Sequence, residues 1–574
     1  MVPRFRLAAA AAALLLATTA HAQGISEETP LRPVTNAVAI TNARVVVAPG
    51  QVLDRATVVV RDGRIEAVGE DAAVPFDAEV VEGDSLIVYA GFVDAFGYAG
   101  VPAPEDPDRY DGDRGDPPRE LAGITPDRDV RAMFDASDAR IKQLREVGFT
   151  AAHVAPRDGL LAGQGAVVLL RETGRGEAPQ ALVLTEPMSV IGQIDTASGV
   201  YPATPMGVLS VMRETIENAR RRRSARTAFD DARDGAARPR FDPVLEAVGA
   251  LLDGDRQFVF VAESWLEGFR ALRASQEMDL SPVLAGVPDA APLVERLTAS
   301  GAPVFAPLAL PDTVEADSVA LAVALPTTSP SGASFVSDRR TSSFRDVEAE
   351  ETAMTVQKRA AVARAEASPS VLAAADVPFA FATFEVKPAD IHDNLVRMVA
   401  AGLSPDDALA ALTTSPAALL GVDREVGSVE VGKLANLVVT SGPLFTDSTQ
   451  IRHVFVEGVG YELDAGGAPD GADPEAVVVA TGTWDFEVVT PAGSQEGTFT
   501  LDGSGDALTG SITTDEATPL STVTLEGNAL TMAFTSPDTG PVTVTGIITD
   551  DEFSGTVEVG SFGSFPFTAT RRPE

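Results

Sequence analysis

Histidine is scarce in this chain. Apart from His21, which falls in a leader-like opening stretch, there are only His153, His392 and His453, and cysteine is absent. No two histidines stand at a short, metal-ligating spacing, so a zinc site built from nitrogen and sulfur donors has no local starting point. Acid–base chemistry is what these residue types still allow, and the candidates are His153, Glu263 and His392. His153 follows Gly148-Phe149-Thr150 in an apolar stretch, where a satisfied buried imidazole is the plainer role. His392 stands beside Asp390 and Asp393 at a helix start, and a partly exposed helix residue is its plainer reading. Glu263 and Glu385 each follow a short apolar run, so both reach the same face if those runs are parallel strands. His453 lies within a strand pattern and reads as structural. The glycines of 159–165 precede no Gly-Lys-Ser/Thr, and no serine elbow or dinucleotide fingerprint occurs, so they read as tight turns.

The charge balance narrows the partners. With 83 acidic against 44 basic residues the formal net charge is −39, which repels nucleic acid and anionic membranes. The basic run Arg220 to Arg223 reads as a solvated helix end in so acidic a chain. Lysine is limited to Lys142, Lys358, Lys387 and Lys433. Arg4 and Arg6, an apolar run over 7–17 and Ala20-His21-Ala22 have the form of a secretory signal peptide cleaved near Ala22. No later run reaches the ~20 apolar residues that span a bilayer. The expectation is a periplasmic or secreted protein without disulfides.

The elements that must position any site are short strands and helices. Strand patterns over 39–47, 56–61 and 64–68 surround Asp62-Gly63, a strong two-residue hairpin signal. Apolar runs at 258–262, 282–285, 303–306 and 378–383 alternate with helical spacing, as parallel strands do. Helices are expected at 132–147, 205–226, 353–367 and 389–401, and Ser404 caps another. Residues 101–128 and 326–346 read as irregular loops. After a stretch of Asp, Gly, Ala and Pro over 464–476 the texture changes to Thr, Val and Gly. Eight strands are expected there, at 483–490, 497–502, 507–514, 521–525, 529–535, 542–549, 552–559 and 565–570, forming a barrel or a sandwich.

Three stretches carry a family resemblance. Ala-Gly-Phe-Val-Asp-Ala-Phe-Gly-Tyr at 90–98 resembles the first barrel strand of the amidohydrolase superfamily, near its imidazolonepropionase-like branch. Thr-Thr-Ser-Pro-Ala-Ala-Leu-Leu-Gly at 413–421 is similar to the segment that closes that barrel. Gly-Val-Asp-Arg-Glu-Val-Gly-Ser-Val-Glu-Val-Gly-Lys-Leu-Ala-Asn at 421–436 resembles the family's closing segment, with Asn436 where aspartate is common. The resemblance implies an α/β protein, an amidohydrolase-like TIM barrel over 91–424 with a composite β-sandwich from 39–90 and 425–463. A signal peptide over 1–22, an arm over 23–38, a linker over 464–480 and an antiparallel β-domain over 481–574 complete the chain. Gly482-Thr483-Trp484 with Arg571 resembles the lipocalin pairing of a floor tryptophan with a late arginine.

The resemblance also implies a pair of divalent metals, zinc as a rule, held by ligands from several strands. In this sequence those positions read Phe96, Tyr98, Val261, Ala285 and Phe384, and no lysine lies on a middle strand to bridge two ions. Gly91 and Asp94 keep the family's pattern. No metal or other cofactor is therefore expected. Two readings follow. In one, the chain is a non-hydrolytic descendant that binds a small molecule or peptide, or that partners a metal-bearing paralogue in a hetero-oligomer. In the other, it is a hydrolase of carbon–nitrogen bonds in cyclic amides or peptides that works through an unusual site.

Overall fold

The computed structural model describes residues 37–103, 110–174, 176–197, 199–231, 237–311, 344–446, 449–463, 476, 478–490, 493–503, 508–514, 517–536, 540–559 and 563–572. The stretch with the form of a signal peptide, the expected arm up to residue 36 and most of the expected linker lie outside them.

Five strands come first: β1 (Ala37–Ala48), β2 (Gln51–Arg61), β3 (Arg64–Gly69), β4 (Glu79–Glu82) and β5 (Ile87–Ala90). At the β2–β3 turn, Asp62 and Gly63 both take positive φ, 48° and 79°, the conformation a two-residue hairpin of this hand requires.

The central part then runs β6 (Phe92–Gly97), α1 (Ala139–Glu146), β7 (Phe149–Val154), β8 (Leu161–Leu169), β9 (Ser189–Gln193), α2 (Pro205–Asp231), α3 (Pro243–Leu252), β10 (Gln257–Val261), α4 (Trp265–Glu277), β11 (Pro282–Ala285), α5 (Val294–Ser300), β12 (Val304–Pro307), α6 (Phe344–Ala374) and β13 (Phe379–Ala382). Helices α7 (Ile391–Ala400), α8 (Pro405–Leu412) and α9 (Thr414–Leu419) follow. The eight strands pair in chain order from β6 to β13. Most neighbours are parallel, as expected, and their four-residue cores Pro282–Ala285, Val304–Pro307 and Phe379–Ala382 are buried throughout.

One strand departs from the alternating pattern. β8 is antiparallel to both β7 and β9, so it runs against the other seven. Residues 155–160 are then a hairpin turn on the face where the parallel strands end, and that turn carries Arg157 and Asp158. A second correction concerns the helix expected over 132–147, which begins only at Ala139. Asp135 accepts from the Ser137 N–H and Asp138 accepts from the Arg140 N–H, so polar capping holds the preceding residues out of the helix. Helix α6 is longer than the 353–367 expected, running on through Pro369.

β14 (Leu437–Thr440), β15 (Ile451–Val456) and β16 (Val459–Glu462) return to the first sheet, which reads β16-β15-β14-β5-β1-β2-β3 with β4 beside β1. All eight strands hydrogen-bond into one sheet. Val58, Val60 and Ile65 of one flank share a core with Leu437, Val439 and Phe455 of the other, so the sheet curls over itself. The Gly63 turn meets the Glu457–Gly458 turn so closely that a Cβ on Gly63 would lie 2.9 Å from the Glu457 carbonyl oxygen.

This sheet is fixed to the central part by arginines. Arg171, at the end of β8, holds Glu177 at 2.6 Å and Glu457 at 2.7 Å. The Arg145 guanidinium carbon lies 3.9 Å from the Tyr461 ring centre, and the Tyr461 hydroxyl accepts from the Glu172 N–H.

The C-terminal part forms a single antiparallel sheet: β17 (Gly482–Thr490), β18 (Gly493–Asp502), β19 (Thr509–Thr513), β20 (Ala517–Pro519), β21 (Thr522–Glu526), β22 (Ala529–Ser536), β23 (Gly540–Thr549), β24 (Glu552–Val559) and β25 (Gly563–Arg571). Its order is β20-β19-β18-β17-β25-β24-β23-β22-β21, so the two edges, β20 and β21, are separated in sequence only by Leu520 and Ser521. The Leu520 N–H donates to Gly510 and the Ser521 N–H to Ala533, which draws the edges together into a half-barrel. Its inside is filled by Trp484, Phe486, Phe499, Phe553 and Phe567.

Removing Arg171 would leave Glu457 and Glu177 without their shared partner. Because both carboxylates keep some solvent, we expect Arg171→Ala to cost roughly 2 kcal/mol. The midpoint of urea unfolding should fall, and Arg171→Ala combined with Glu457→Gln should cost less than the sum of the two single changes.

Candidate functional site

Asp94 is fully buried on β6 and reaches across to Thr383, just past β13. These are the first and last strands of the eight, and among the described residues no backbone ladder joins them. Asp94 Oδ1 accepts two backbone bonds, from Thr383 at 2.8 Å and from Phe96 at 3.1 Å. Oδ2 shares a 2.6 Å bond with the Thr383 hydroxyl. The Thr383 carbonyl in turn accepts from Arg140 at 2.9 Å, as does that of Val386. Gly97 leaves room for this group, since a Cβ there would lie 2.3 Å from Asp94 Oδ2.

Burial raises the Asp94 pKa to about 6, against the opposing pull of the Thr383 hydroxyl, the two amides and Arg140. The geometry suits either protonation state. An ionised Oδ2 accepts from the Thr383 hydroxyl, and a protonated one donates to it.

His153 lies on β7 with no exposed surface. Its Nδ1 is 2.9 Å from the Ala95 carbonyl oxygen, which can only accept, so Nδ1 carries the proton. Nε2 then accepts from the Ser189 hydroxyl at 2.8 Å. Burial pushes its pKa down to about 4, against the Ala95 bond. A neutral imidazole with both nitrogens engaged is a packing and positioning group. Its ring also stands against Phe96 and Phe305, with centroids 5.8 and 6.3 Å away.

Above it, Phe96, Tyr98 and Phe384 form a closed set of rings. Their centroids are 5.6 Å apart for Phe96–Tyr98, 5.7 Å for Tyr98–Phe384 and 6.1 Å for Phe96–Phe384. Val261 and Ala285 are register partners at the ends of β10 and β11, and Phe384 packs within 3.2 Å of where a Gly286 Cβ would stand. The five positions that the family resemblance singles out thus gather at one end of one sheet. They offer apolar carbon and a phenol, with no imidazole or carboxylate among them. No group of three or more His, Cys, Asp or Glu side chains placed to hold a metal ion occurs among the described residues. The residues present do not fit the metal pair that the family implies.

The rim of this mouth is charged. Glu263 and Glu385 are both exposed, and Glu263 is raised above the usual carboxylate range by partial burial, then by Glu385, Glu267 and Asp195. Tyr98 is held above the usual phenol range by burial, offset by Arg157. Glu385 and Asp158 both take positive φ, 56° and 53°; for glutamate this is an uncommon conformation of the kind stored at functional sites. His392 is elsewhere engaged, its Nε2 donating to the Thr446 carbonyl at 3.2 Å. It does not join the ring cluster.

Sequence reasoning missed Arg140, Arg157 and the Asp94–Thr383 link. The link joins residues 289 apart, and only the retained Asp94 hinted at it. Arg157 reaches the mouth through the reversal of β8, which periodicity does not reveal.

A comparison of folds gives an amidohydrolase from Thermotoga maritima with a TM-score of 0.57, at 20% identity, covering 74% of this chain and all of that one. The fold is amidohydrolase-like. Residues 357–460 also match the model of the Amidohydrolase family. An imidazolonepropionase from Symbiobacterium thermophilum is 57% identical over 42 residues, 7% of this chain and 10% of that protein. A Xaa-Pro dipeptidase structure with bound methionine aligns over 74% of this chain and all of its own, at 15% identity and a TM-score of 0.40. The likeness is thus one of fold over most of the chain and of sequence over 357–460. In this amidohydrolase-like chain the matched stretch, 357–460, spans β13 and most of the returning edge of the first sheet.

Two substitutions test the geometry. The Asp94 pKa in the fold, about 6, exceeds the ~3.9 of an unfolded aspartate. Its contribution is therefore full below pH ~4 and is lost as pH rises through ~6. Asparagine keeps both acceptor bonds and donates to Thr383, so Asp94→Asn should fold. Relative to Asp94→Asn, the parent should lose up to about 3 kcal/mol between pH 4 and 7, read from paired urea titrations. A difference that does not change with pH would refute the assignment. Gly165→Ala places a Cβ 2.5 Å from His153 Nε2 and 2.6 Å from Ser189 Oγ. We expect a loss of roughly 2 kcal/mol, measured by thermal unfolding.

Proposed function

We propose that the mouth of the eight-stranded sheet is a metal-free binding site and that the chain is a non-hydrolytic member of its superfamily. The observation that carries this reading is the ring set Phe96, Tyr98 and Phe384, which fills the space where metal ligands would converge. Without such ions nothing at the mouth lowers the pKa of a water to make hydroxide at neutral pH. Of the buried side chains here that could take a proton, neither His153 nor Asp94 is placed to replace them. His153 is sealed and bonded at both nitrogens, and Asp94 is bonded to Thr383 and Phe96.

In this reading the sheet is a TIM-type barrel with one reversed strand, closed at the β6–β13 seam by Asp94. The bound species is a small molecule or peptide, or the chain acts beside a metal-bearing paralogue in a hetero-oligomer. The C-terminal half-barrel is lipocalin-like. Supporting this, the Arg571 guanidinium carbon lies 4.6 Å from the Trp484 ring centre, Trp484 Nε1 donates to Ala480, and Arg571 donates to the Val479 carbonyl. The leader-like opening of the sequence supports export to the periplasm or beyond.

Hydrolysis of a cyclic amide or peptide is the competing reading, supported by the short match to an imidazolonepropionase. Metal analysis of the purified full chain separates the two. We expect well under one tightly held transition metal per chain after dialysis, because tight sites need convergent ligands. Stoichiometric zinc, lost to a chelator together with amidase or dipeptidase activity, would refute the proposal.

A further inference from the structure

Arginines in this acidic chain generally find carboxylates. The buried Arg145 pairs with Glu172, Arg171 with two glutamates, and Arg222 with Glu246. Arg140 and Arg157, both at the mouth, are exceptions: neither has a carboxylate within 4.0 Å among the described residues. Both are only partly exposed, and in both the Nε atom is buried without a hydrogen-bond partner. Arg140 donates one amino group to the Thr383 and Val386 carbonyls. Arg157 makes a single long bond of 3.5 Å to the Tyr98 carbonyl, with its guanidinium carbon 4.5 Å from the Tyr98 ring centre. Asp94 and Asp138 act on the Arg140 charge only from beyond 4.0 Å, and two partly desolvated cations in each other's field are costly to hold without a directly bonded anion.

We propose that Arg140 and Arg157 form a receptor for the single carboxylate of a small monoanion whose aromatic or apolar body rests on Tyr98 and Phe384. The proposal rests on the metal-free reading of the mouth. A guanidinium over a ring face keeps N–H groups available for the two oxygens of a planar carboxylate. The floor supplies the apolar half of the recognition, with the Tyr98 and Phe384 rings in mutual contact. The rim sets the charge limit: Glu263, Glu385, Asp158 and Asp195 already crowd negative charge around the opening. A second negative charge on the ligand would meet that rim, so a monocarboxylate is favoured over a phosphate or a dicarboxylate.

The test is calorimetric titration of the full chain with phenylacetate, with phenylacetamide as its neutral isostere and with inorganic phosphate. We expect saturable binding of phenylacetate at millimolar or lower concentration, and at least about tenfold weaker binding of phenylacetamide and of phosphate. Arg157→Gln, a change in a turn, should weaken phenylacetate about tenfold and leave phenylacetamide unchanged. Arg140→Lys provides a second variant that keeps the charge while losing the planar fork. Equal binding of acid and amide, absence of phenylacetate binding, phosphate binding as tight as phenylacetate, or indifference to Arg157→Gln would each overturn the proposal. Failure of the metal-free reading looks different. Ions at the mouth would register in metal analysis and would hold phenylacetate with or without Arg157.

Discussion

A single buried carboxylate joins the first strand of the central sheet to the last. A sheet of eight strands that coils round must either pair its two edges or cover them. Here Asp94 does this by accepting two amide protons through one oxygen and meeting a hydroxyl through the other. Everything at the mouth is referred to this joint. Phe96 and Tyr98 follow Asp94 on one side, and Phe384 follows Thr383 on the other, so the rings meet because the joint brings their backbones together. Arg140 belongs to the same assembly, since it binds the carbonyl of the residue whose N–H Asp94 holds.

The joint also explains how the scaffold can persist without metal ligands. Metal ions crosslink strand ends by drawing side chains from several of them to one point. In this chain the same strand ends are crosslinked by ring packing and by the Asp94–Thr383 bonds. Aromatic side chains suit that role because each buries a large apolar area and adds edge-to-face contacts. The exchange has a chemical consequence. Rings and aliphatic carbon stand at these strand ends in place of side chains that would gather an ion to polarise a carbonyl or ionise water.

How far the site could be read from the sequence depended on distance along the chain. Local signals were legible: the Asp62-Gly63 turn, the Ser404 cap, and eight of the nine C-terminal strands to within a few residues. The strand missed, Ala517–Pro519, is three residues long and carries no alternation. The want of histidine was legible too, because composition needs no register. Three features were hidden. The reversal of β8 has no periodic signature, since a strand buried on both faces reads alike in either direction. The helix expected from 132 was cut short by Asp135 and Asp138, whose side chains compete for backbone donors that the helical spacing would have used. The Asp94–Thr383 bond joins opposite ends of the central sheet, and nothing local distinguishes Thr383 from its neighbours.

Two buried titrating groups lie one residue step apart through Ala95, and they oppose each other. His153, held neutral with a value near 4, makes the fold lose stability as pH falls from ~6.5 toward 4, because the unfolded chain takes up a proton that the fold refuses. Asp94, held near 6, acts in the reverse sense over much of the same range, because the fold keeps a proton that the unfolded chain releases. Both shifts come from the same cause, burial in an apolar interior, acting on groups of opposite charge type. A site built to do acid–base work separates such values so that one group gives a proton while its neighbour takes one. Here each group favours its neutral form, and each is bonded to partners that satisfy that form. Both groups are therefore neutral together between about pH 4 and 6, and above that range Asp94 ionises beside the Thr383 hydroxyl, the two amides and Arg140.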